Sequence, residues 1–494
     1  MKYITFIISM AVIVSHAYSQ GFMNNWYFGD YAGLNFSGGS PVYQFSPMRS
    51  YEANASVSDS LGNLLFYTNG VTIWDKYHNK MPNGDSLEIA AQFDLPFGGG
   101  SSVTQGVIIL PMPGSSEKYY VFYLKRAVDF YNENSLMYSV VDMSLNGGNG
   151  DVIDGLKNIP YTPSGNYLWE KMTAVKHANG KDWWLITTSG KTVDADPTYF
   201  ELFLITADGI SGPTFQPYDF WSTEGWDGWV FSGQTKFSLS GNKLALTRTS
   251  QVDIYNFDRC DGTLSNRVII DSLPIASYGL EFSKDETKLY VSSLGNNALK
   301  PYLTQICLNC NGIIKTTLYS DTKQYEFMQL QIGPDDKIYT GFDKTNVEDE
   351  NERFLSFINY PDSFGLACDF QLAAFELGDS GRIRYGLPNF VNYDLGALTG
   401  ADSCGAIINI NDLNNDSQVK IFPNPAVNYI FLADKNNNSV ACEAVLFYNS
   451  TGVLVKKIIQ PNGPLDVSDL AHGIYVVKVV GKAENYILKL EILK

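Results

Sequence analysis

One shape recurs along this chain: alternating apolar residues, a polar turn rich in Gly, Asp or Asn, then a second apolar burst. It is read in "ANASVSDSLGNLLFYTNG" from Ala53, "TQGVIILPMPGSSEKYYVFYL" from Thr104 and "KMTAVKHANGKDWWLITTS" from Lys171. It returns in "TKFSLSGNKLALTRT" from Thr235, "YGLEFSKDETKLYVSS" from Tyr278 and "MQLQIGPDDKIYTGF" from Met328. Period-two alternation interrupted by turn residues is the mark of a β-hairpin. The copies follow one another every roughly 45 to 65 residues, the spacing of propeller blades rather than of helical solenoids. A third strand follows each hairpin: "VTIWDKYHN", "LMYSVVDMS", "YFELFLITADG", "VDIYNFDRCDG", "LTQICLN" and "FLSFINYPD". Sheets this thin cannot cover both of their faces. Stacking them around an axis does so, and closing the ring protects the strand edges.

The ring needs a clasp. "YGLPNFVNY" from Tyr385 resembles the strand "YGLEF" at Tyr278 but has no hairpin of its own. "NNWYFG" from Asn24 and "AGLNFSGG" from Ala32 are strand-like and equally unattached. Joining the two ends predicts a seventh blade, with six blades as the alternative if the N-terminal strands only cap the ring. The expected fold class is all-β: a seven-bladed propeller over residues 20–397, an Asn/Asp-rich linker over 398–418, and a small immunoglobulin-like β-sandwich over 419–494.

Composition agrees. Aromatic residues make up 14% of the chain, with 31 Tyr and 29 Phe, and such side chains suit pleated, half-buried surfaces. The formal charge of −17 repels phosphate backbones and argues against a nucleic-acid partner. The opening "MKYITFIISMAVIVSHAYSQ" has a basic start, an apolar run and small residues Ala17 and Ser19 before Gln20. That pattern predicts a secretory signal over residues 1–19. No later run has the length of a membrane-crossing helix.

Few residues announce chemistry. Cys307 and Cys310 form a lone C-x-x-C; zinc would need a second ligand pair, so a disulfide or free thiols are expected. His78, His177 and His472 form no close pair. "GDSGR" from Gly378 resembles a serine-protease nucleophile loop but lacks partner motifs. No cofactor is predicted, and an axial metal ion has no ligand motif behind it.

Two candidate ligand sites remain. Trp221, Trp226 and Trp229 lie in one Gly-bearing connection, "DFWSTEGWDGWVFSG". Large rings there could form a platform for a sugar face. Glu52, Gln105, Glu170, Lys171, Gln234, Glu326 and Arg384 fall at the entry ends of the innermost strands. In a propeller those ends ring one mouth of the axis, where a ligand would sit. Two function classes follow: a binding, adhesion or scaffold module for a glycan or envelope component, or a hydrolase or lyase acting on carbohydrate or lactone at the axis.

The tail is more specific. "IFPNPAVNYIFL", "NSTGVLV", "DVSDLAHGIYVVKV" and the terminal Lys494 resemble the type A sorting domain of the Bacteroidetes type IX secretion system. On this resemblance Phe422, Pro423, Asn424, Pro425, Gly473, Tyr475 and Lys494 belong to the sorting motif. It implies passage through the periplasm, handling by the type IX machinery, and delivery to the outer-membrane surface or the medium. "WYFGDYAGLNFSGGSPV", "SDSLGNLLFYTNGVTIWDKYHNKMPNG", "YSVVDMSLNGGNGDV" and "LQIGPDDKIYTG" resemble a β-propeller common in exported Bacteroidetes proteins. That resemblance implies a fold but no reaction.

Overall fold

Each of the six hairpins becomes the first two strands of a separate antiparallel sheet. The computed structural model describes residues 21–493, apart from 88–99, 126–134, 162–166, 191–197, 219–231, 275, 294–299, 321–324, 345–349, 399–403, 405–418, 435–437, 439, 441, 450–453, 462 and 482–484. Contacts divide the chain into two units, Met1–Ala401 and Asp402–Lys494.

Among the described residues the first unit holds seven sheets. The N-terminal one is Asn25–Phe28, Ala32–Asn35 and Val42–Tyr43; the next is Ala55–Ser58, Leu64–Thr68 and Ile73–Asp75. The third runs Val107–Pro111, Lys118–Lys125 and Ser135–Asp142, with Asp151–Val152 and Ile159–Tyr161 both paired to its last long strand. The other four have four strands each and begin at Tyr167–Lys176, Thr235–Phe237, Ser277–Phe282 and Tyr325–Ile332. All six expected third strands are present. The outermost strands Gly209–Tyr218, Leu264–Ile270, Ile314–Ser320 and Phe370–Glu376 are additions. They are mostly solvent-facing, and Gly209–Tyr218 carries Pro213 and Pro217, which an edge strand tolerates because one N–H side is unpaired.

The first strands converge, and contacts pass from sheet to sheet around them. Ser56 Oγ donates to Asn25 O at 2.6 Å, joining the first sheet to the second. Gln105 N–H donates to Glu170 O at 2.9 Å, joining the third to the fourth. Gln234 N–H donates to Tyr278 O at 2.8 Å, and Ser292 Oγ to Met328 O at 2.6 Å, carrying the series to the seventh. Trp26 then meets Tyr339 edge-on at 5.7 Å, which brings the seventh sheet back to the first. The fold is a seven-bladed propeller. Apolar clusters fill the spaces between blades, as with Trp184, Ile186, Phe200, Leu244 and Tyr255 between the fourth and fifth.

Both chain ends take part in closure, but not as the alternation predicted. Asp30 N–H donates to Arg382 O at 2.9 Å and Arg382 N–H to Asp30 O at 2.8 Å. Gly29 allows this approach: its φ is +52°, and a Cβ there would lie 2.1 Å from the Arg382 oxygen. Tyr385–Tyr393, expected as a strand of the same sheet, is not a strand. The N-terminal sheet supplies its own third strand, and the segment runs down the axis instead. Gly386 N–H donates to Tyr51 O at 3.1 Å, and Leu387 N–H to Gln329 Oε1 at 2.9 Å. Asn389 Nδ2 donates to Val107 O at 3.2 Å and Met172 O at 3.0 Å. Tyr393 OH reaches Ile109 O at 2.9 Å, and Asn392 Nδ2 reaches Leu239 O at 2.8 Å. A segment within hydrogen-bond reach of this many first strands lies where they meet. Its polar groups are satisfied by side chains and strand ends, so no ladder is required.

The second unit is a sandwich built around its own core, which includes Ile430, Val445, Phe447, Val477 and Leu490. One sheet is Val419–Phe422, Tyr429–Asp434 and Leu465–Asp466; the other is Leu454–Ile459, Ala444–Tyr448, Gly473–Val480 and Asn485–Ile492 in that spatial order. Cys307 and Cys310 are joined by a disulfide. Cys368 and Cys442 are free thiols.

Candidate functional site

The residues expected around the entry mouth separate into two groups with different work. The first group stitches the axis. Gln105 and Gln234 stand just before a first strand, Gln329 lies at the register shift within one, and all three turn their amides inward. Gln105 Nε2 donates to Thr235 O at 3.0 Å and to Asn389 Oδ1 at 3.2 Å, and its Oε1 accepts Thr235 N–H at 2.7 Å. Gln234 Oε1 accepts Leu280 N–H at 2.9 Å and Leu330 N–H at 2.8 Å. Gln329 holds Leu387 and donates to the Thr104 carbonyl. A glutamine amide both donates and accepts, so one side chain can tie two first strands that form no ladder with each other. Only Gln105 and Gln234 were legible as candidates. Gln329 was missed because "MQLQ" reads as plain alternation.

Arg384 also works within the fold. Its Nε and Nη2 donate to Asp30 Oδ2 at 3.1 and 2.8 Å, and Nη1 to Glu352 Oε2 at 2.9 Å. All three residues are buried. The guanidinium fork therefore ties the N-terminal blade to the seventh sheet through charge-assisted bonds.

The second group gathers above the axial segment. Tyr385 OH donates to Glu326 Oε2, and its ring lies 5.0 Å from Tyr51 and 6.4 Å from Tyr278. The Tyr278 hydroxyl is buried, and its one side-chain hydrogen-bonding neighbour, Thr104, falls short of full hydrogen-bond geometry. Burial first, then the Glu52 and Glu170 carboxylates, push its pKa well above the usual phenol range. Glu170 Oε2 accepts Thr104 Oγ1 at 3.0 Å and Thr104 N–H at 3.2 Å. Lys171 is fully buried and donates to Ser232 O. Burial pushes its pKa down to about 7, against the pull of Glu170 and with the push of Arg248. Glu52, Glu170, Glu326, Lys171 and three tyrosines thus share one mouth. Tyr278 and Tyr385 were visible as strand residues in the sequence, but nothing local marked them as neighbours.

Trp221, Trp226 and Trp229 lie outside the described residues. The flanks of their connection, Tyr218 and Ser232, are buried and half-buried, and Ser232 is the Lys171 partner. His78 meets Tyr67 OH at 3.0 Å through Nδ1, and His177 meets Cys260 O at 2.9 Å through Nε2. Neither joins the mouth cluster.

At the opposite mouth is a cavity of about 60 Å³, lined by Val175, Phe237, Phe282, Ile332 and Phe390. Lys236 Nζ, beside it, pairs with Glu281 Oε2 at 3.2 Å and donates to Gln331 Oε1 at 2.5 Å. Glu281 also accepts Ile332 N–H at 3.1 Å. The axis is occupied by chain between the two mouths, so each is a blind basin.

The tail motif has a structural logic. Asn424 Nδ2 donates to Lys489 O at 2.7 Å, and Asn424 Oδ1 accepts Glu491 N–H at 2.8 Å. Ala426 N–H donates to Glu491 O at 2.7 Å, and Leu493 N–H to Ala426 O at 2.8 Å. The Pro-Asn-Pro turn thus staples the start of the domain to its last strand. Pro423 and Pro425, which lack an N–H, flank the one side chain that imitates a strand edge. Tyr475 is buried and donates to Ala471 O at 2.9 Å. Gly473 opens its strand at φ +154°. Phe422 points outward and stacks on Phe431 at 5.5 Å. Lys494 lies outside the described residues.

Residues 420–493 match the model of the secretion system C-terminal sorting domain. The chain is type IX secretion cargo. Its sorting domain directs it to the cell surface or the medium. No helix among the described residues is long and apolar enough to cross a membrane. No curated protein matches the chain. Among solved structures, the periplasmic gluconolactonase of Pseudomonas aeruginosa is similar over 92% of this chain and 99% of its own, at 10% identity and a TM-score of 0.38. A Bacteroides fragilis protein assigned as a 6-phosphogluconolactonase is similar over 74% of this chain and 97% of its own, at 12% identity and a TM-score of 0.42.

Proposed function

We propose that the propeller is a binding module, exported by its sorting domain, that holds a hydroxyl-rich ligand such as a glycan in the entry basin. The supporting observation is the plugged axis. It gives the mouth a floor, Tyr385 and Leu387, beneath Glu52, Glu170 and Tyr278. Tyrosine rings beside carboxylates suit a sugar, which offers an apolar face and several donor hydroxyls. The buried Tyr278 hydroxyl has only a weak side-chain partner in Thr104, and a ligand oxygen would complete its hydrogen bonding.

The test is binding of the purified protein to glycan and envelope-extract arrays, followed by titration of any ligand retained. Tyr278→Phe and Glu170→Gln each weaken binding roughly tenfold, the worth of a lost buried or charge-assisted hydrogen bond. Trp226→Ala and Trp229→Ala weaken it further if that connection forms a platform. A protein that retains nothing, or variants that bind as well as the parent, would sink the reading.

A hydrolytic reading rests on one feature, that Glu52 and Glu170 both act on the Tyr278 phenol. It requires turnover of a glycoside or lactone that disappears in Glu170→Gln while folding is retained. Binding without turnover leaves the binding reading in place.

A further inference from the structure

The four-stranded sheet of the sorting domain has one face packed on the core and one face to solvent. Alternation assigns the outer face. Val445, Phe447, Tyr475, Val477, Val479, Leu488 and Leu490 are buried, so their strand neighbours point the other way. Across the sheet, Lys457 pairs in register with Leu446, and Leu446 with Lys478. One row along, Tyr448 pairs with Val476, and Val476 with Lys489. Lys457 and Lys489 are exposed and Lys478 is half-exposed. Lys456 on the same edge strand is paired with Asp469, whereas no ion pair holds these three among the described residues. Between and beside them stand aliphatic side chains open to water: Ile459 is 68% exposed, Ile474 47% and Val476 38%.

Glu491, in register with Ile474, lies on the same face, so lysines outnumber acids there three to one; the surface is net cationic and aliphatic on a chain of formal charge −17. Residues 419–494 carry eight lysines against six acidic residues and no arginine. Two kinds of partner could match it, an acidic protein or a layer of lipid phosphates. The residue types decide between them. Protein interfaces are enriched in Arg, Tyr and Trp and depleted in Lys, and a bidentate fork is what reads a carboxylate. Lysines on flexible stems with aliphatic side chains between them suit mobile phosphates over an apolar layer.

We propose that this face of the sorting domain, centred on Lys457, Lys478 and Lys489, adsorbs reversibly to a membrane surface bearing anionic phosphate headgroups. Attraction between lysines and phosphates holds the contact, so screening by high salt releases it.

Co-sedimentation of the full chain with vesicles tests it, using phosphatidylglycerol mixed with phosphatidylcholine against phosphatidylcholine alone. The full chain sediments with the anionic vesicles and is released at high ionic strength. Each lysine changed to glutamine lowers the partition coefficient about fivefold, so the triple variant stays in solution. Lys420→Gln, on the other sheet, behaves as the parent. All these positions are solvent-facing, and an unchanged melting curve confirms that the variants are folded. Equal binding to neutral vesicles, no binding to either, or a triple variant that still sediments overturns the proposal. Capture by polyglutamate beads without vesicle binding also overturns it, in favour of an acidic protein partner.

Discussion

Arg384 sits between Asp30 and Glu352 with all three side chains inside the protein. Arg384→Ala would take the buried guanidinium from two buried carboxylates and leave Asp30 with only the longer, part-exposed Arg49 contact, a change that costs about 3–5 kcal/mol. Chemical denaturation should show the propeller's midpoint fall accordingly, and a shift under about 1 kcal/mol would mean the clasp lies elsewhere. Lys171 makes a prediction about pH. Its folded pKa, about 7, lies below its ordinary 10.5. Between those values the unfolded chain binds a proton that the folded chain does not, so this group makes stability rise with pH. Below about 7 both states are protonated and the slope from Lys171 vanishes. Lys176 is also lowered, to about 8 by burial, and has the same sign. The difference between the parent and Lys171→Met therefore isolates the first lysine: the parent gains more stability than the variant from pH 7 to 9.

At the scale of an element, the axial segment has the least freedom. Gly386 lies so close to the Glu52 carbonyl that an added Cβ would come within 1.8 Å of its oxygen. Gly386→Ala must displace backbone on one side or the other, at a cost of about 1–3 kcal/mol, as for overpacking in cores. The effect should extend beyond stability. Glu52 belongs to the entry basin, so ligand affinity falls with it, and retained affinity in a destabilised variant would separate the basin from the plug. In the sorting domain, Asn424→Ala removes both bonds to the last strand. A drop of about 1–2 kcal/mol in that unit's stability is expected, read by hydrogen exchange at Lys489–Ile492. Unaltered exchange there would show that the Pro-Asn-Pro turn does not depend on its amide.

For the whole molecule, two units with separate cores predict separable functions. Deleting Val419–Lys494 leaves the propeller folded, because its own clusters lie within residues 22–395. Fractionation of cells should find the truncated protein in the periplasm. Recovery from the surface or the medium would show that another segment carries the address. The hairpins, their third strands and the sorting motif were legible because each depends on neighbours in sequence: alternation for a strand, Gly and Asp for a turn, Pro-Asn-Pro for a staple. The outer strands escaped because solvent-facing edges need no apolar pattern. Tyr385–Tyr393 was misread for a related reason. Its alternation resembled "YGLEF" at Tyr278, but its apolar side chains pack against first strands from several blades rather than one. Local pattern alone therefore determined six of the blades and the place of the sorting domain, while the seventh depended on how the chain ends meet. Only the closed ring decided that the axis is filled, that Gln105, Gln234 and Arg384 hold the fold, and that Glu52, Glu170, Tyr278 and Tyr385 share a basin. Those meetings join residues hundreds of positions apart, and burial at the axis sets them.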